Sequence, residues 1–189
     1  SRGLGDVYKR QKLFMEKLQF QEQLLTRENP DYHFSSSAWV VNSTYDKVLM
    51  VYHNIYQSYS WTGGHADGCA NLLLVAQMEL EEETGIKEYH LLHDGLFAFN
   101  ILPVPAHYKN GQYIKEHNHI NTTYLFMAQE DQTFKIKEDE NSDVRWIAVT
   151  DIDQKVTEEA MKVYYHQMVA KALSVSYTHL RAHETSLHL

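Results

Sequence analysis

Four glutamates crowd the end of one predicted helix. The segment WTGGHADGCANLLLVAQMELEEETGI runs from Trp61 to Ile86, and Glu79, Glu81, Glu82 and Glu83 fall just before Gly85, which reads as the helix stop. A helix C-terminus carries partial negative charge, so carboxylates are unfavourable there. Glu79 and Glu83 stand one turn apart and would repel by roughly 0.2–0.5 kcal/mol if exposed. A divalent cation reverses the sign of each of these effects. Side chains at i, i+3 and i+4 share a helical face, a rule that Glu79, Glu82 and Glu83 meet while Glu81 points elsewhere. Three carboxylates on one face suit Mg²⁺ or Mn²⁺, which take hard oxygen ligands. A solvated acidic face behind a glycine turn would explain the same spacing without a metal.

The elements that must position this face can be read outward from it. Asn71 is placed to cap the helix, which runs to Thr84, and Leu73, Ala76 and Leu80 form its apolar side. Gly63-Gly64 permits close backbone approach and offers amides and carbonyls to a ligand. Residues 8–27 read as an amphipathic helix carrying Leu13, Phe14, Leu18, Leu24 and Leu25, ended by Asn29-Pro30. Ala38–Val41 and Lys47–His53 are strand-like, and 56–68 is turn-rich. A strand is expected within 91–104, a strong one over 122–128, and another over 146–149. Glu158–Leu173 reads as a helix burying Met161, Tyr164, Tyr165 and Met168. The order is that of a mixed α/β domain with an added amino-terminal helix. The expected division is a helical extension over 1–35, a hydrolase-like domain over 36–173 and a tail over 174–189. The tail from Ser176 shows neither helical nor strand periodicity. It resembles translated sequencing-adapter sequence, so it is expected to be non-native or disordered, and its histidines stay out of any metal argument.

The whole chain sets bounds. Its 189 residues suffice for one domain with a real core. A net charge of -8 argues against a stable nucleic-acid partner, although bound cations would still allow an anionic substrate. The single cysteine, Cys69, excludes an intrachain disulfide framework and fits a reducing, cytoplasmic setting. No apolar run is long enough for a transmembrane span, so no membrane partner is expected. The amino-terminal helix could cover a subunit surface, which would give a homodimer.

The glutamate segment resembles the Nudix hydrolase signature: glycine, five residues, glutamate, seven residues, then Arg-Glu-apolar-x-Glu-Glu-x-Gly-apolar. Gly64 opens it, and Glu79, Leu80, Glu82, Glu83, Gly85 and Ile86 fall in register. Ala70 stands at the first glutamate position and Met78 at the arginine position, so the box is degenerate. The stretches GGHADG from Gly63, HNHINTTYLF from His117 and KEDENSDVRW from Lys137 extend the resemblance to a bacterial subgroup over roughly residues 36–172. The resemblance implies an α/β/α sandwich around a mixed sheet. It also implies Mg²⁺-dependent hydrolysis, with Mn²⁺ as an alternative ion, of a diphosphate in a nucleoside diphosphate linked to another moiety. Glu79, Glu82 and Glu83 match the metal carboxylates, and the backbone at Gly63 matches a loop whose carbonyl often joins the metal shell. Glu82 and Glu83 are thereby catalytic candidates. Glu140 joins them as a candidate base, in competition with Glu138 and Asp139. The family's arginine orients a motif glutamate, and methionine supplies neither charge nor hydrogen bond. A catalytically impaired nucleotide-binding or regulatory module is therefore the second reading. Isoprenyl diphosphate isomerase chemistry would need a catalytic cysteine arrangement that Cys69 does not provide.

His117 and His119 lie two apart on a predicted strand and share a face. With His65 they could form a zinc site, but no short third-ligand spacing marks one. Hydrogen bonding to substrate is the competing role for His65 and His119, and a plain structural role competes with both. Arg145 and Lys115 could neutralise substrate phosphate. Trp61, Tyr56, Tyr59 and Phe99 could stack on a base or pack in the core.

Overall fold

The computed structural model describes residues 6, 9–10, 12–14 and 21–187. A short helix α1 (Gln21–Leu25) leads into β1 (Tyr32–Val41) and β2 (Lys47–His53), followed by β3 (Ser58–Ser60) and β4 (Thr62–His65). Next come helix α2 (Leu72–Thr84), β5 (His90–Leu91), β6 (Ala98–Val104) and a hairpin of β7 (His107–Lys109) and β8 (Gln112–Ile114). Then follow β9 (His117–Met127), β10 (Asn141–Ala148), the single turn α3 (Ile152–Lys155) and the long helix α4 (Glu159–Leu187). The main sheet runs β10-β2-β1-β9-β5, with β3 on β2, β4 on β1 and β6 on β9. It is mixed: β1 and β9 are parallel, while β4 lies antiparallel to β1.

Strand alternation divides β1 cleanly between two layers. Ala38 and Val40 meet Leu49, Val51 and Phe126, and this face is covered by Ala76 and Leu80 of α2. Trp39 and Val41 turn the other way, onto Met50, Trp61 and Leu125, and are covered by Tyr165 and Met168 of α4. Trp39 stacks on Tyr165 at 5.6 Å between ring centroids. The apolar residues expected on α2 and α4 are thus the ones that clamp the sheet from either side. The layers form the expected α/β/α sandwich.

The boundaries differ from the sequence reading in ways that matter for the site. β1 begins at Tyr32 rather than Ala38, because the polar residues His33, Ser35 and Ser37 continue the alternation that Trp39 ends. β9 runs unbroken from His117 to Met127, joining the strand expected over 122–128 to the one expected to carry His117 and His119, and pairs with β1 along the whole length of β1. The region expected to be turn-rich contains β3 and β4, whose register places Gly63 and Gly64 against Ser37 and Ser36. β10 starts at Asn141, upstream of the expected Trp146. Helix α4 continues past Leu173 to Leu187, through the segment expected to be disordered. Tyr177 and Leu180 there are exposed, so the extension is helical without an apolar seam. Of the expected amino-terminal helix, residues 9–10 and 12–14 and α1 are helical, and Leu18 lies outside the described residues. Leu24, Leu25 and Phe14 pack on Phe34 and Ile120. Among the described residues no helix is long and apolar enough to cross a membrane.

Candidate metal centre and histidine cluster

Helix α2 is held at both ends by its own sequence. The Asn71 side-chain oxygen accepts from the Leu74 amide at 3.1 Å, and Gly85 takes a left-handed φ of 77° while its amide closes on the Glu81 carbonyl. This fixes the rotation of the acidic face. Glu83 is driven inward and is only 3% exposed. Its carboxylate accepts from the Gly63 amide at 3.3 Å. A Cβ on Gly64 would sit 2.5 Å from the Glu79 carboxyl carbon, so that glycine is what allows the second carboxylate to lie against β4. Glu82 stays half-exposed at the rim. Glu81 turns away and accepts from the Tyr89 hydroxyl.

The electrostatics are those of an under-neutralised anion cluster. Burial pushes the Glu79 carboxyl up to about 7, and Glu82, Glu140 and Asp67 push in the same direction against Lys137. Burial raises Glu83 well above the ordinary carboxylate range, reinforced by Glu79 and Glu140 and only partly relieved by the Gly63 amide. Carboxylates in this state gain from a multivalent cation. Among the described residues Lys137 is the cation that spans the group, 3.6 Å from Glu82 and 3.4 Å from Glu140. Burial works against its charge, but Glu140, Glu79 and Glu82 outweigh that and hold its ammonium above the ordinary lysine range. The loop before β10 therefore delivers Glu140 to the cluster through Lys137. Among the described residues Glu138 and Asp139 have no such link to it. In the sequence Lys137 is masked by the acidic run around it. Its spacing from Glu140 on the same loop was the available signal.

Two positions depart from the signature in a way the structure makes physical. Met78 is 48% exposed, one turn before Glu82, so its side chain leaves that carboxylate without a partner from the helix. Ala70 is exposed in the loop before Asn71. Arg145 is not gathered into the site: its guanidinium is bonded to Asp143 at 2.6 Å and lies over the Tyr59 ring.

His65 and His119 are brought together with His117, the grouping of the zinc alternative, and His33 joins them. His65 follows Gly64 and, by alternation, faces the opposite side of β4 from Glu79. Register pairs His65 with Ser35 and His119 with His33, so β4, β1 and β9 carry His65, His33, His119 and His117 on one face. The Nε2 of His119 lies 3.1 Å from that of His65 and 3.2 Å from that of His117. Burial drives the His65 imidazole down to about 3, helped by Arg27 and His33, and the His119 imidazole down to about 2, helped by its three histidine neighbours. His33 lies outside the strand expected from Ala38, because the polar opening of β1 hides its alternation.

A family model described as NUDIX domain matches residues 31–168. Solved structures share the fold. A C. elegans Ap4A hydrolase aligns with a TM-score of 0.56 at 12% identity, covering 74% of this chain and 97% of that one. The M. smegmatis Nudix hydrolase RenU aligns with a TM-score of 0.56 at 11% identity, over 75% and 86% of the two chains. A UDP-X diphosphatase aligns with a TM-score of 0.54 at 18% identity, over 77% of this chain and 63% of its own. No curated protein matches. With buried Glu83 and half-buried Glu79 seated against a double glycine and the family match spanning the main sheet, α2 and the first part of α4, this chain belongs to the NUDIX domain family, for which hydrolysis of pyrophosphate bonds in nucleoside diphosphate derivatives is the general activity.

Proposed function

We propose that the chain is a divalent-metal-dependent pyrophosphohydrolase acting on a nucleoside diphosphate linked to another moiety. The observation that carries this reading is the raised, mutually repelling pair Glu79 and Glu83 against Gly63-Gly64 of β4, with Glu82 and Glu140 beside it. The donor set fits Mg²⁺ or Mn²⁺: all oxygen, anionic and clustered. Glu79, Glu82 and Glu83 would hold the ion, with the Gly63 backbone as a further oxygen donor. The ion would supply charge neutralisation on the phosphoryl oxygens and a lowered pKa for an attacking water.

The chain's own groups do the rest. Glu140 is the base that takes the water proton, and Lys137 positions it. Once Glu82 is engaged elsewhere, the Lys137 ammonium is free to meet substrate phosphate. The α2 caps and the glycine approach fix the carboxylates before substrate arrives, which matters because misplacement of about 1 Å can cost roughly 10²-fold in rate. The impaired-module reading is favoured by Ala70 and by the exposed Met78, which leaves Glu82 without a helix partner. A panel of nucleoside diphosphate derivatives with Mg²⁺ or Mn²⁺ separates the two. Metal-dependent turnover that falls at least about 10²-fold in both Glu82→Gln and Glu83→Gln supports the hydrolase. Tight ligand binding without turnover supports the module, and turnover unaffected by both substitutions removes the site assignment.

A further inference from the structure

The second cluster lies on the other face of the sheet from α2 and is made of imidazoles alone. We propose that His33, His65, His117 and His119 form a separate metal centre, a closed four-nitrogen site for a borderline divalent transition ion such as Zn²⁺. One ring nitrogen from each residue falls within 4.8 Å of the others. Two of the separations, 3.1 and 3.2 Å, approach the ~3.3 Å edge of a tetrahedron built on Zn–N bonds of about 2.0–2.1 Å. The widest pair has to close on loading, a motion that ring rotations can supply.

Proton bookkeeping supports an ion over a hydrogen-bonded cluster. The Nδ1 of His117 lies 2.9 Å from the Lys115 carbonyl oxygen, which can only accept, so Nδ1 carries the proton. In the neutral ring the His117 Nε2 is then a bare lone pair aimed at the cluster, the arrangement that metal-bound histidines adopt with a backbone carbonyl behind them. The His119 Nε2 faces two Nε2 neighbours and has one proton at most to share. His33 is 6% exposed, and among the described residues neither of its ring nitrogens has a hydrogen-bond partner of good geometry, the Asn29 backbone approaching the ring only at marginal geometry. An unpaired buried imidazole of this kind is costly, and a shared ion satisfies it together with the other three.

Ligand hardness keeps the two centres distinct. Imidazole nitrogens take Zn²⁺ and its neighbours, whereas carboxylates take Mg²⁺ and Mn²⁺. Four protein ligands leave no open position, so the role is structural. The ion would tie β4 to β1 and β9 one residue beyond Gly64, bracing the strand against which Glu79 and Glu83 rest.

The test uses the full chain, stripped with a chelator and titrated with Zn²⁺ by calorimetry and with Co²⁺ by visible absorption. About one ion per chain is expected, with the intense bands of tetrahedral Co²⁺, and a rise in Tm on Zn²⁺ addition that Mg²⁺ does not reproduce. Affinity should fall at least about tenfold in His33→Gln and in His117→Gln and hold in Glu83→Gln. The absence of a tetrahedral Co²⁺ spectrum in the unaltered chain overturns the proposal, and it does so even where a histidine variant fails to fold. Zinc uptake that survives His117→Gln unchanged also overturns it, because the ion then sits on other histidines.

Discussion

Replacing Glu79 by Gln isolates the electrostatic cost on which the metal site rests. In the metal-free protein the Glu79 carboxyl is raised from 4.5 to about 7. A carboxyl whose folded pKa is raised contributes stability below its unfolded pKa and loses it as pH climbs through the folded value. The unaltered chain therefore gives up stability between pH 4.5 and somewhat above 7, and the shift corresponds to about 3 kcal/mol at 1.36 kcal/mol per unit. Glutamine has no proton to lose, so the variant is spared this fall. Buried histidines with lowered pKa values, His33, His53, His65 and His119, act in the opposite sense, since their stability is present above 6.5 and is lost as pH falls. They are common to both proteins and cancel in the difference. Urea unfolding in chelator at pH 4.5, 6 and 8 should show Glu79→Gln gaining on the unaltered chain by about 3 kcal/mol across the range. Saturating Mg²⁺ should shrink that gap, because the carboxylates of the unaltered chain then have a counter-charge. A gap that stays constant with pH would refute the reasoning.

The remaining predictions follow from the same geometry. Met78→Arg places a guanidinium one turn from Glu82 and should raise kcat, by up to about 10²-fold if carboxylate orientation is limiting; an unchanged kcat in a steady-state assay would show that it is not. Gly64→Ala drives a methyl into the Glu79 carboxyl at 2.5 Å and should destabilise by about 1–3 kcal/mol and weaken Mg²⁺ binding, as read by Tm with and without the ion. Thr84→Val removes a buried hydroxyl that donates to the Leu80 carbonyl at 2.6 Å and accepts from the Ile86 amide. It should cost about 1–2 kcal/mol in urea unfolding by loosening the end of α2.

What was legible in the sequence was what local rules govern. The Asn71 cap, the Gly85 stop and the i, i+3, i+4 spacing of Glu79, Glu82 and Glu83 depend on a single helix, and all three appear where the spacing puts them. The apolar stripes of α2 and α4 were equally readable. The polar start of β1 was not, because a strand that opens His-x-Ser-x-Ser looks like a loop until a parallel partner and a covering layer are known. His33 was lost with it. The convergence of four histidines depends on the β4-β1-β9 register, which no spacing within one strand encodes. Lys137 was hidden for a related reason: its partners Glu82 and Glu140 lie on different elements. Arg145 looked free for phosphate because Asp143 and Tyr59, which engage it, become neighbours only in the folded sheet.

The central claim is that the α2 carboxylates gather a divalent ion. Titration of the chelator-stripped protein with Mn²⁺, followed by calorimetry and by electron paramagnetic resonance of the free ion, tests it most directly. Uptake is expected in the unaltered chain and in His117→Gln, strengthened by a non-hydrolysable diphosphate and lost in Glu83→Gln. Absence of Mn²⁺ and Mg²⁺ uptake with and without the diphosphate, or uptake that Glu83→Gln leaves intact, would contradict it.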